Sequence, residues 1–122
     1  MVYWRGNESD GGSHIFLIFC MSMRYDKLVR DKIIGIIEAK GEQAVWHTAT
    51  DAEYRAKLIQ KLGEEAGEFV ADPSKEELAD IFEVITAIIA DQGWTLDEIV
   101  AVQQEKREKR GGFESRIILE ES

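Results

Sequence analysis

The sequence predicts an all-α fold of four helices. Three observations carry that expectation: apolar residues recur with a 3.6-residue period over most of the chain, proline occurs once, at Pro73, and three Ser/Thr-x-x-Glu capping boxes open periodic segments. With 122 residues, 44% hydrophobic and 32% charged, the chain is long enough for one domain with its own core, and its composition is globular rather than disordered.

Taken in order, the first helix is expected over residues 26–40, with Val29, Ile33, Ile36 and Ile37 on its buried face and Gly41 as its stop. The segment GEQAVWHTAT that follows reads as β-leaning or irregular. Thr50 with Glu53 opens a second helix over residues 51–71, Ser74 with Glu77 a third over 75–91, and Thr95 with Glu98 a fourth over 96–110. Gly111 and Gly112 then break the pattern, and the RIIL run near the end can form a short strand. Before Met23 the character is different. A loose polar stretch containing Gly6, Asn7, Ser9, Gly11 and Gly12 precedes the apolar run IFLIFCMSM, and amphipathic patterning starts only afterwards. Residues 1–22 are read as an N-terminal extension and residues 23–122 as the functional domain.

Composition narrows the function. A formal charge of −9 argues against a broad nucleic-acid surface, which needs clustered Lys and Arg, while free nucleotides stay compatible because a bound metal inverts the local field. The lone Cys20 excludes an internal disulfide, and with only His14 and His47 it makes no usual zinc site, so a reducing cytoplasm is the expected setting. The apolar run from Ile15 to Met23 falls far below the roughly 20 residues that span a bilayer. Glu8 and Asp10 also sit where a signal peptide carries positive charge. No membrane partner is expected.

The chemistry lies in carboxylates. At about 100° per residue, Tyr54, Leu58, Leu62 and Phe69 cluster in one sector of the second helix, and Glu65 projects into its middle. On the third helix the sector of Leu78, Ile81, Phe82, Val84, Ile85, Ile88 and Ile89 holds Glu77 between Val84 and Ile88, with Asp80 at its edge. An unpaired buried carboxylate costs several kcal/mol, so both positions need a compensating cation. Lysine can serve, but Glu65, Glu68, Glu77 and Asp80 on two facing helices make a hard-oxygen set that suits Mg²⁺ or Mn²⁺. Residues three apart share a helix face. A connection of Asp72, Pro73 and Ser74 folds the two helices into an antiparallel hairpin that turns both pairs to one gap. Such a centre polarises a phosphoryl group and activates water, with Glu64 completing the shell or orienting that water. The opposing reading makes Glu64, Glu68 and Asp80 solvated residues and Glu77 only the capping-box acid of Ser74. Glu65 resists it best, because it cannot be both solvated and on the packing face.

At these residues the chain resembles a known family. GEEAGEF followed by EELADI is similar to the paired E-x-x-E and E-x-x-D motifs of the all-α nucleoside-triphosphate pyrophosphohydrolases, the MazG-like superfamily. YDKLVRDKI and EKRGGF are similar to the two ends of its small branch, the house-cleaning enzymes for non-standard nucleotides. The resemblance runs from about Met23 to Glu121. It implies an oligomeric four-helix MazG-like bundle, metal ligands at Glu65, Glu68, Glu77 and Asp80, and hydrolysis between the α and β phosphates to a nucleoside monophosphate and pyrophosphate. Two departures bear on the base: the link between the two motifs is shorter than usual, which leaves less of a lid, and Gly67 stands where the small branch often has a larger residue. KLGEEAGE also resembles phosphoribosyl-ATP pyrophosphohydrolase, and a non-catalytic helical module with an acidic face is an alternative of another class.

A polyphosphate also needs cations. Lys27, Arg30 and Lys32 in the first motif, Lys61 on the second helix, and Lys106 and Arg110 ahead of the glycine turn are the candidates. The cluster from Lys106 to Arg110 equally suits the C-terminal end of a helix dipole, and Arg30 equally suits a pair with Asp31 or Glu38. Trp46 and Trp94 could stack on a base but read rather as packing residues, and His47 as structural. Gly63 and Gly67, four apart, would allow another helix to come close, plausibly from a second subunit.

Overall fold

The structure, a computed structural model, describes residues 24–122. Among these residues it is all-helical: α1 (Ile33–Ala39), α2 (Asp51–Ala71), α3 (Lys75–Asp91) and α4 (Leu96–Arg110), with no strand. The N-terminal extension expected over residues 1–22 lies outside the described residues.

Caps explain why three helices start where the sequence places them. The hydroxyl oxygens of Thr50, Ser74 and Thr95 accept the backbone N–H of Glu53, Glu77 and Glu98 at 3.2, 3.3 and 3.2 Å. At Thr95 the reciprocal bond from the Thr95 N–H to the Glu98 carboxylate completes a capping box. The Glu53 carboxylate turns instead to His47, 2.9 Å away.

Stops are equally local. After α1, Gly41 at φ +82° and after α3, Gly93 at φ +75° take the left-handed conformation that glycine tolerates. Each closes a Schellman turn, in which the next N–H, of Glu42 or Trp94, reaches back to Ile37 or Ile89. Pro73 forces Asp72 out of the helical region and ends α2.

The first helix is much shorter than the 26–40 that periodicity predicts. Asp26 sits at φ +47°, and its carbonyl oxygen, which a helix would pair internally, accepts the Lys57 ammonium at 2.7 Å. Only Ile33 of its expected apolar face is buried. The RIIL run is likewise not a strand, because no second strand among the described residues supplies its hydrogen bonds. Phe113 to Arg116 form a turn instead, closed by the Arg116 N–H on the Phe113 carbonyl.

The α2–α3 hairpin is the one extensive helix–helix contact among the described residues. Arg55 near the start of α2 pairs with Asp91 at the end of α3 at 3.0 Å, which fixes the antiparallel register. Ile33, Leu58, Val84 and Ile89 are the buried apolar side chains. Two helices can cover only one side of each other, so the predicted α3 sector splits: Val84 and Ile89 are inside, whereas Leu78 and Phe82 are 44% and 63% exposed. Every residue of α4 is exposed, including Leu96, Ile99, Val100 and Val102. No helix among the described residues is long and apolar enough to cross a membrane.

Candidate metal centre

The hairpin register brings Glu65 of α2 opposite Glu77 and Asp80 of α3. One carboxylate oxygen from each lies within 4.8 Å of the other two. Glu65 is 3% exposed and Glu77 1%, while Asp80 is half-buried at the open side of the group. Carboxylates this close and this dry repel one another strongly unless a cation stands among them. Glu65 shows the demand most directly, since its Oε2 is buried and makes no hydrogen bond.

Among the described residues, Lys61 and Arg30 meet the group. Lys61, one turn before Glu65 on α2, is itself buried and places Nζ 3.5 Å from Glu65 Oε1. From the irregular segment ahead of α1, Arg30 donates from Nη2 to Asp80 Oδ1 at 2.8 Å. Its partner is therefore neither Asp31 nor Glu38. At Glu77, Ser74 caps the backbone N–H while the side chain lies in the buried group.

Glu68 is half-buried and is not one of the three residues brought within 4.8 Å. Glu64 is half-buried and pairs with Lys27 at 3.7 Å. Lys32 and Arg30 line a pocket of about 410 Å³ that reaches the carboxylates through Glu65 and Asp80. Its other walls include Tyr54, Leu58, Val84 and Ala87. Tyr54 and Leu58 are visible in the sequence only as members of a packing stripe, and nothing in the periodicity distinguishes a cavity wall from a filled core.

Lys106 and Arg110 sit on α4 and do not line this pocket. The last turn of α4 holds Arg107, Lys109 and Arg110, matching the helix-dipole alternative, and Lys109 pairs with Glu105 at 2.9 Å. Trp46 and Trp94 are both well exposed and lie outside the pocket lining. Beyond its own helix, no described atom comes within 4 Å of a Cβ built on Gly63 or Gly67, so no other helix among the described residues uses that opening.

The donor set fits a divalent cation: three hard carboxylates from two helices, with the buried Oε2 of Glu65 lacking a hydrogen bond. Comparison with protein-family models, with curated proteins and with solved structures finds no match to this chain.

Proposed function

We propose that this chain is a Mg²⁺-dependent nucleotide pyrophosphohydrolase of the small MazG-like kind, with Mn²⁺ as an acceptable substitute. The observation that supports this best is the group of Glu65, Glu77 and Asp80, two of which, Glu65 and Asp80, line a pocket that Arg30 and Lys32 also line. In this reading those three carboxylates hold the ion, with Glu68 one turn further along α2 as a fourth ligand. The ion would supply Lewis-acid polarisation of a phosphoryl oxygen. Arg30 and Lys32 bind the polyphosphate, and the apolar wall of Leu58, Val84 and Ala87 faces the nucleoside. Water adds across the α–β anhydride, Glu64 accepts its proton, and the products are a nucleoside monophosphate and pyrophosphate.

The reading includes self-association. The apolar side chains left outside on α3 and α4 give a second copy something to cover, and a four-helix MazG-like bundle would be completed in that way. One cysteine in the whole sequence suits a reducing compartment such as the cytoplasm.

A nucleotide panel, including non-standard bases and phosphoribosyl-ATP, assayed for pyrophosphate with Mg²⁺ tests the proposal. Release that requires the metal and disappears in Glu77→Gln is expected. No release from any nucleotide, in a protein that nevertheless binds a basic partner, would leave the non-catalytic module as the better account.

A further inference from the structure

We infer that Arg30 is a stand-in cation for the metal centre: it holds Asp80 when no divalent ion is bound, and the ion displaces it. The inference rests on the metal reading of Glu65, Glu77 and Asp80 given above.

The two cations at the carboxylates are held very differently. Lys61 lies on the same helix as Glu65, and the side chains of this pair are 10% and 4% exposed. It cannot leave without exposing the interior. Arg30 comes from outside the helices, and the side chains of its pair with Asp80 are 41% and 13% exposed. A half-solvated ion pair of this kind costs little to separate, because water takes over both charges. Asp80 is also the least buried of the three carboxylates, so exchange can occur there without opening the hairpin.

A divalent ion at the group draws on the same Asp80 carboxylate that Arg30 holds at 2.8 Å. Both cations cannot share it at full strength, since two positive charges would then stand within a few ångströms of each other. Displaced from Asp80, the guanidinium still belongs to the pocket that Lys32 also lines, where its planar fork suits a phosphate. Metal loading and anion binding are thereby coupled through one side chain. The ion both fills the centre and releases the arginine that a polyphosphate needs.

Mn²⁺ binding by the full chain without nucleotide, followed by the electron paramagnetic resonance of the free ion, separates the possibilities. Arg30→Gln should bind Mn²⁺ about three- to tenfold more tightly than the unsubstituted protein, because a competitor is gone. Arg30→Lys, which keeps the charge, should recover most of the competition. Equal or weaker binding by Arg30→Gln, where the unsubstituted protein does bind, overturns the stand-in role and leaves the metal centre intact. No Mn²⁺ binding by either protein removes the metal reading itself, and the inference with it. A second measurement needs no substitution: the guanidinium Nε–H resonance of Arg30 should move on saturation with Mg²⁺. A resonance that stays fixed while Mg²⁺ binds likewise overturns the role.

Discussion

Lys61 and Glu65 form an ion pair at 3.5 Å inside the hairpin, one helical turn apart and both buried. A lysine at this depth is held by its carboxylate as much as it holds it. Removing one member of a buried pair costs about 3–5 kcal/mol, whereas replacing both by apolar groups of similar size is often neutral or favourable.

The pair therefore predicts opposite signs for single and double substitution. Glu65→Gln should lower the metal-free melting temperature and abolish Mn²⁺ binding. Lys61→Met combined with Glu65→Leu should also abolish binding, yet melt at or above the unsubstituted temperature. Differential scanning calorimetry of the three proteins decides it, and a double variant less stable than Glu65→Gln would show that the pair contributes net stability.

A second prediction concerns Arg30 and Asp80. Their link is partly solvated, so Arg30→Ala should cost no more than about 1 kcal/mol, a few degrees in melting temperature for a domain of this size. On the proposed function its catalytic effect should be larger, a loss of roughly ten- to a hundredfold in kcat/KM on a nucleotide substrate, because the proposed charge-assisted phosphate contact is removed. A variant that loses stability and keeps its kinetics would confine Arg30 to a structural role.

Much of this site is legible in the sequence, and what is not has a physical cause. The helix bounds of α2, α3 and α4 follow from Thr50, Ser74 and Thr95 on one side and from Pro73, Gly93 and Gly111 on the other, all signals that act within a few residues. The inward positions of Glu65 and Glu77 follow from helical geometry alone. The early part of the first helix does not, because Lys57, 31 positions away, takes the carbonyl of Asp26. Nor does the Arg30–Asp80 pair, which spans 50 positions. Glu68 shows the limit of the wheel: it shares a face with Glu65 and is half-buried, yet it is not one of the three residues whose oxygens all lie within 4.8 Å of one another.

The third prediction addresses assembly. Leu96, Ile99 and Val100 lie three and four residues apart on α4, all exposed. Sedimentation velocity should find a species heavier than the 13.9 kDa monomer, and Leu96→Lys with Val100→Lys should shift it towards the monomer with helicity retained. An unchanged sedimentation coefficient would place the contact elsewhere, with the exposed Leu78 and Phe82 of α3 next in line.

Acid should loosen the turn after α4. A hydrogen bond from the Arg107 guanidinium holds the Glu114 carboxyl below its ordinary range, with a smaller contribution from its own backbone N–H. A depressed carboxyl favours the folded arrangement above its unfolded value, and that preference is lost as pH falls through the folded one. A Cβ on Gly112 would run into both Arg107 and Glu114. Carboxyl carbon NMR should therefore show Glu114 titrating low in the natural chain and returning towards the ordinary carboxylate value in Gly112→Ala. Identical curves would refute the link.

Only Asp72, Pro73 and Ser74 stand between α2 and α3, so the carboxylates that face one another are never far apart along the chain. Closing so short a loop costs little entropy, and contacts between near neighbours in sequence form fast. During synthesis the hairpin can dock as soon as α3 has emerged, while α4 is still to be made. The acidic group thus exists on a nascent chain before α4 is made, and an encounter with a divalent ion can precede any encounter with a second copy through that helix.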